Sequence, residues 1–330
     1  MNLTWFYYVV AAAFGLIFGS FFNVVIYRFP EDMSLGNRSI CPNCGMTIRW
    51  YDNIPLLSYV VLCGHCRGCR TTISIRYPLV EALTSGLFVL MYWWSRSIVP
   101  QQVGVPPARV VTPELFIGLL MVCVLIVASA IDISHGIVPN RIMYPGLIAM
   151  LLLVTAVALY RGQPGRIGLA LAGAAIGGGF LLGAGLLYGL LFLRRTPESS
   201  DETEGGDGNA KVVNTGLALG SEEDSPGDGE DEDEEDFGIP TGIGMGDVKL
   251  IVFCGLALGF FHWYLIIVQI LVGFLLGALA SIPLLILSKK GRRDRLPFAP
   301  FLAAGAVIAL IWGPQLVDLY LRLARHGGGV

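Results

Sequence analysis

Charge is what this chain has little of: Asp, Glu, Lys and Arg fill 14% of its 330 residues, against roughly 25% in an ordinary soluble domain. Hydrophobic residues fill 54%, and the two figures together exclude a water-facing globular surface over most of the length. Basic residues are missing from Met1 to Thr4, and the apolar run that follows outlasts a secretory h-region of about 7 to 15 residues, so a cleaved signal peptide is not expected. No Gly-rich turn stands in a βαβ setting, so no nucleotide-cofactor fold announces itself. No internal repeat is evident, and no nucleic-acid partner is expected.

The little charge there is lies unevenly. The formal net charge is −3, yet Thr196 to Phe237 holds sixteen Asp/Glu against one Lys, a local −15, which leaves +12 for the rest. The chain therefore reads as a basic membrane protein with one acidic insert. That insert, residues 194–241, lacks the apolar residues needed to offset chain entropy and is expected to have no fold of its own.

A membrane-crossing helix needs about 20 mostly apolar residues. Such runs occur at Trp5 to Tyr27, Ala82 to Ser95 with Pro78 to Glu81 before it, Leu115 to Ile131, Ile142 to Tyr160, Ile167 to Leu193 and Leu296 to Val317. Leu250 to Ser288 is 39 residues, too long for one crossing, with a reversal expected at Gly259 to His262. The expected fold is an all-α polytopic membrane protein of about eight transmembrane helices. With both termini outside, inside segments carry 16 Lys/Arg and outside segments 6, as the excess of basic residues in cytoplasmic loops requires. The segmentation is residues 1–27 (first helix), 28–77 (a cytosolic cysteine-bearing domain), 78–193 (helices two to five), 194–241 (the acidic insert) and 242–330 (a Gly-x-Gly-Asp turn and helices six to eight).

Four of the seven cysteines form Cys41-Pro-Asn-Cys44 and Cys66-Arg-Gly-Cys69, with 21 residues between the pairs. Two such turns can close a tetrahedral four-thiolate zinc site of the zinc-ribbon kind, with no open coordination position and therefore a structural role. Four reduced thiols, a disulfide or a redox pair are the alternatives. Cys63 and His65 leave a second knuckle open, Cys63-x-x-Cys66-x-x-Cys69, ranked below the first set. Cys123 and Cys254 lie mid-span, where small apolar packing is the default.

Ionisable residues in or beside a span are costly and mark functional sites by default. Asp132 ends the third span and Asp247 begins the sixth, both on the inside and at one depth. Paired carboxylates that share a proton carry out aspartic proteolysis. Each can equally be a cap at a helix edge, and in a transporter or channel the same pair would line an ion path. Glu81 can bind an amine or open a helix, Lys249 can tune Asp247 or snorkel, and Asn23 and Arg28 can hold substrate or pack. His135 reads as an incidental loop residue. Gly173, Gly177, Gly178, Gly179, Gly183 and Gly185 give the fifth span a small-residue face.

On these residues the chain resembles the type IV prepilin peptidase and N-methyltransferase family. The matching stretches are Gly19 to Pro30, the cysteine pairs with Arg76 to Glu81, Asp132 to Asn140 and Gly244 to Lys249, with Pro297-Phe-Ala-Pro300-Phe301 a weaker fifth. The resemblance implies an inner-membrane aspartic endopeptidase that cuts the basic leader from prepilins or pseudopilins on the cytosolic side. It implies Asp132 and Asp247 as the catalytic pair, and S-adenosylmethionine as donor for methylation of the new amino terminus. The acidic insert departs from the pattern.

Overall fold

A computed structural model describes residues 4–31, 33–36, 38–104, 111–192, 244–287 and 297–327. The acidic insert lies outside the described residues. Ten α-helices follow one another: α1 (Thr4–Arg28), α2 (Leu57–Val61), α3 (Arg76–Ser97), α4 (Val99–Val103), α5 (Glu114–His135), α6 (Asn140–Tyr160), α7 (Gly165–Phe192), α8 (Met245–Phe261), α9 (Leu265–Leu287) and α10 (Ala299–Gly327). A short 3-10 turn, Trp50–Asn53, precedes α2. Among the described residues there is no strand, and the only pairings of that kind noted are two isolated bridges, Ile40 with Thr47 and His65 with Thr72. The chain divides into a unit of residues 1–181 and 243–330 and a unit of residues 182–242; of the second, the described part is the end of α7.

The all-α membrane architecture is as expected. Eight of the described helices are long, and six of them are long and apolar enough to cross a membrane: α1, α5, α6, α7, α9 and α10. The other two depart for separate reasons. α3 carries Arg76, Glu81 and Arg96, and α8 has 17 residues. The expected reversal falls where predicted, with α8 ending at Phe261 and α9 starting at Leu265.

Small residues set how closely the helices approach. A Cβ on Gly15 would lie 2.5 Å from the Ser85 Cα, and one on Gly19 would lie 2.7 Å from the Glu81 Cα, so α1 and α3 touch backbone to backbone and run antiparallel. In α7, Gly173 meets the Gly255 carbonyl oxygen and the Gly259 Cα of α8, while Gly177 and Gly178 meet Ile251 and Val252. Gly179 meets nothing within 4 Å, so the packing face is narrower than the run of glycines suggests. Trp94, fully buried, donates its indole N–H to the Leu310 carbonyl at 3.2 Å, joining α3 to α10.

One end of this unit gathers the close of α1 and α5 and the start of α3, α6, α8 and α10. At the other end Glu114, the first residue of α5, accepts two hydrogen bonds from Arg161 after α6, at 2.7 and 2.8 Å. The Glu114 side chain has no exposure, so the bidentate pairing is what makes its burial tolerable.

Candidate active site and metal centre

Asp132 occupies the last turn of α5, which stops because Gly136 adopts φ +67° and closes the helix onto the Asp132 carbonyl at 2.8 Å. The side chain is 7% exposed. Its Oδ2 accepts the Ala299 backbone N–H at 3.0 Å, and the Phe298 N–H lies against the same carboxylate. These amides open α10, where no preceding turn supplies carbonyls for them. Pro297 and Pro300 fix that helix start in sequence, since proline is tolerated in a first turn. The carboxylate is thus held by the N-terminus of a helix far away in sequence.

Asp247 is the third residue of α8, and its N–H bonds the Gly244 carbonyl at 3.1 Å. The preceding glycines have separate uses. Gly244 is the helix cap, in extended conformation, with the Asp247 carboxylate leaning back over it. A Cβ on Gly246 would lie 2.8 Å from the Cβ of Val138, in the α5–α6 connection. Absence of that Cβ lets the start of α8 press against the segment that follows Asp132. The two aspartates, 115 positions apart in sequence, come near enough for the charge of one to act on the other.

The neighbouring candidates are engaged elsewhere. Lys249 donates to the Asn140 side-chain oxygen and lies over the Tyr144 ring, 5.0 Å from its centroid, so it ties α8 to α6. Glu81 accepts the Leu56 N–H at 2.8 Å. Asn23 donates to the Tyr77 carbonyl at 3.0 Å. Arg28 donates to the carbonyls of Ser34, Leu35 and Arg38 and so shapes the loop that follows it. His135 is exposed. Ala299 and Val138 carry no residue-type signal in the sequence, since one acts through a backbone N–H and the other through a packing methyl.

The four thiols of Cys41, Cys44, Cys66 and Cys69 converge, with every Sγ within 4.8 Å of the others. Each pair is a tight turn: the Cys41 N–H bonds the Met46 carbonyl and the Cys66 N–H bonds the Thr71 carbonyl, at 2.9 and 2.8 Å. Gly45 follows the first pair at φ +67° and Arg70 the second at φ +60°, so the second turn holds in place a residue that disfavours the left-handed region. Asn43 spans the turns, donating to the Cys69 sulfur at 3.5 Å and to the Thr71 hydroxyl at 3.0 Å. Cys63 is exposed and outside this group.

The donor set fits a zinc ion. Sulfurs in a tetrahedron of about 2.3 Å bonds stand about 3.8 Å apart, and the Cys41 and Cys69 sulfurs are 3.8 Å apart. Crowding splits the thiols. The Cys69 thiol is pushed down to about 6, by the Asn43 amide first and then the Thr71 N–H. For Cys44 the lowering by the Met46 N–H is outweighed by the adjoining thiols and by desolvation, which push it up to about 11. A divalent cation among them would favour the thiolate form of all four.

Comparison with known proteins gives consistent matches. Residues 13–95 match the family described as Bacterial Peptidase A24 N-terminal domain, and residues 119–282 match the Type IV leader peptidase family. A prepilin leader peptidase/N-methyltransferase of Myxococcus xanthus (strain DK1622) is 39% identical over 167 residues, covering 49% of this chain and 43% of that relative. Proteins of the same name from Aeromonas salmonicida (strain A449) and Bacillus subtilis (strain 168) are 29% and 27% identical; they align with 97% and 94% of this chain and with 96% of each relative. No solved structure matches the chain at a significant level.

Proposed function

Because the chain belongs to the Type IV leader peptidase family and is an enzyme, we propose that it is a multi-pass inner-membrane aspartic endopeptidase that removes the basic leader of type IV prepilins or pseudopilins, with Asp132 and Asp247 as the catalytic pair. The observation that supports this reading is that both aspartates lie where α5 closes and α8 opens, with Gly246 beside Asp247 packed on Val138 in the segment that follows Asp132. The transporter alternative lacks any comparable support.

The chemistry follows from one proton shared by two carboxyl groups. The ionised aspartate takes a proton from water as the water oxygen bonds the scissile carbonyl carbon. The protonated one gives its proton to the carbonyl oxygen, leaving a neutral gem-diol. As the C–N bond breaks, the first aspartate passes its proton to the leaving nitrogen and a diol hydroxyl returns one to the second, so the pair ends as it began. The α10 amides on Asp132 fix the orientation of that carboxylate and add no titrating group of their own. Zinc held by Cys41, Cys44, Cys66 and Cys69 would act on folding of the 28–77 domain, since four thiolates leave no position for substrate. With basic residues concentrated at this end of the helices, the domain and the catalytic pair are assigned to the cytosolic face.

The names of the relatives add N-methyltransferase activity, and the same reading gives this chain methyl transfer from S-adenosylmethionine to the freed amino terminus. Two cavities, of about 590 Å³ beside Arg166 and His262 and about 460 Å³ beside Trp93 and Trp312, present no carboxylate for a ribose. They do not fit the methyl donor, and no residue is assigned to it.

The test is leader removal by full-length protein in membranes. Asp132→Asn and Asp247→Asn should each abolish cleavage while the protein stays inserted, because an amide keeps the shape of a carboxylate but cannot exchange its proton. Either variant cleaving at near wild-type rate would remove that aspartate from the mechanism.

A further inference from the structure

The 28–77 domain exposes apolar side chains on α2 and on the turn before it. Val60 and Val61 of α2 are 70% and 65% exposed, Leu57 is exposed with them, and Trp50 in the preceding 3-10 turn is 81% exposed. Ser58 donates its hydroxyl to the Tyr51 carbonyl at 3.0 Å, which ties α2 to the 3-10 turn. On α3, Ile75 just before the helix and Leu79 and Leu83 within it are also exposed.

The height of this piece is set by Glu81. α1 and α3 run antiparallel with Gly15 against Ser85 and Gly19 against Glu81, and with Asn23 bonded to the Tyr77 carbonyl. Gly19 is nine residues short of Arg28, where the apolar length of α1 ends. At 1.5 Å per residue, Glu81 therefore stands about 13 Å inside that end. Its carboxylate accepts the N–H of Leu56, the residue that opens α2, at 2.8 Å. Leu56 has φ +58° and ψ −46°, with the Leu57 N–H bonded to the Pro55 carbonyl at 2.6 Å, a tight three-residue turn that sends the chain back out. Satisfaction of a backbone N–H by a carboxylate is what irregular backbone at membrane depth requires.

We infer that α2 is an interfacial element that dips below the headgroups, with Leu57, Val60 and Val61 against lipid chains and Trp50 at headgroup level. The occupant of the apolar face is lipid, for two reasons. The exposed Leu79 and Leu83 of α3 flank in sequence the Glu81 that holds the start of α2, and residues 38–77 carry five Arg against one Asp, a balance that suits an anionic leaflet. Trp50 beside Arg49 has the composition of an interfacial anchor. The inference rests on the membrane-embedded reading above and is independent of the proteolytic one.

The test uses the full chain in vesicles of phosphatidylethanolamine and phosphatidylglycerol, with a nitroxide carried on a ketone-bearing amino acid at Val60 or at Val61, so that every cysteine is kept. Collisions with oxygen, which concentrates in lipid, are compared with those of a nickel chelate, which stays in water. Oxygen should be favoured severalfold at both positions, as at Leu152 on the exposed side of α6, and the chelate should be favoured at Ile40 beside the cysteines. Preference for the chelate at Val60 and Val61 would overturn the inference in favour of a solvent-facing loop. Low rates with both probes would overturn it in favour of a protein cover, whether a second copy or, if prepilin changes the rates, the substrate. Should the label disturb folding, brominated lipid should quench unlabelled protein more than its Trp50→Phe variant, and equal quenching would likewise overturn the inference. Leader cleavage is scored in the same vesicles: lipid-like collision ratios without cleavage would count against the peptidase reading alone.

Discussion

At the scale of single residues, the candidate site depends on an atom that is missing. Gly246 has no Cβ, and the place where one would stand is 2.8 Å from the Val138 Cβ. Gly246→Ala must push the start of α8 away from the α5–α6 connection or distort one of them, and overpacking of this kind costs roughly 1–3 kcal/mol. Cleavage should fall by at least an order of magnitude in that variant, while Gly246→Ala with Val138→Gly, which removes the opposing Cβ, should recover much of the loss. Equal impairment of the single and double variants, measured as kcat/KM on prepilin, would show that contact with Val138 is not what Gly246 provides. Both aspartates were legible in sequence as ionisable groups at span edges. Their mutual approach was not, because it depends on Gly246 against Val138 and on Asp132 reaching the first amides of α10, contacts between segments more than 100 residues apart.

Among the elements, the cysteine turns and α3 make opposite lessons. Cys-x-x-Cys spacing fixes a local turn whatever surrounds it, so the convergence of Cys41, Cys44, Cys66 and Cys69 was readable, including the exclusion of Cys63. The uncharged run that announced α3 was Ala82 to Ser95, extended upstream to Pro78, and the helix begins two residues before that, at Arg76. Hydropathy ends where charge begins, but backbone does not, and Arg76 and Glu81 stay helical because each has a partner, the Ala130 carbonyl and the Leu56 N–H. The short α2 and α4 carry no periodic signal over their five residues and were not foreseen. For the cysteine element, the expectation is about one zinc per chain, as for a single four-thiolate site. Serine at any of the four should lower metal content sharply and destabilise the domain with it, whereas Cys63→Ser should leave metal content near wild type. Elemental analysis with Cys63 essential and Cys41 dispensable would refute the ligand set.

For the whole molecule, the acidic insert and the helical unit should be separable. Deleting residues 199–235 should leave turnover at saturating prepilin nearly unchanged, because the catalytic pair is held by α5, α8 and α10. Any effect should appear in substrate capture at low salt, since attraction between exposed charges is screened over about 8 Å at physiological ionic strength. Loss of turnover at saturation, in a deleted protein that is still folded, would place the insert in the catalytic machinery. The buried pair of Glu114 and Arg161 bears in turn on how the chain enters the bilayer. The two residues stand at the open ends of the α5–α6 hairpin, so on the orientation proposed above, with Asp132 and Asp247 at the cytosolic face, both must be carried across the hydrocarbon to reach the far side. A lone carboxylate or guanidinium there costs about 3 kcal/mol on insertion scales, whereas a hairpin already closed by this pair crosses with no net charge. Biogenesis should therefore favour threading of α5 and α6 together: Arg161→Leu alone should lower the inserted yield, and the further change Glu114→Gln should restore it.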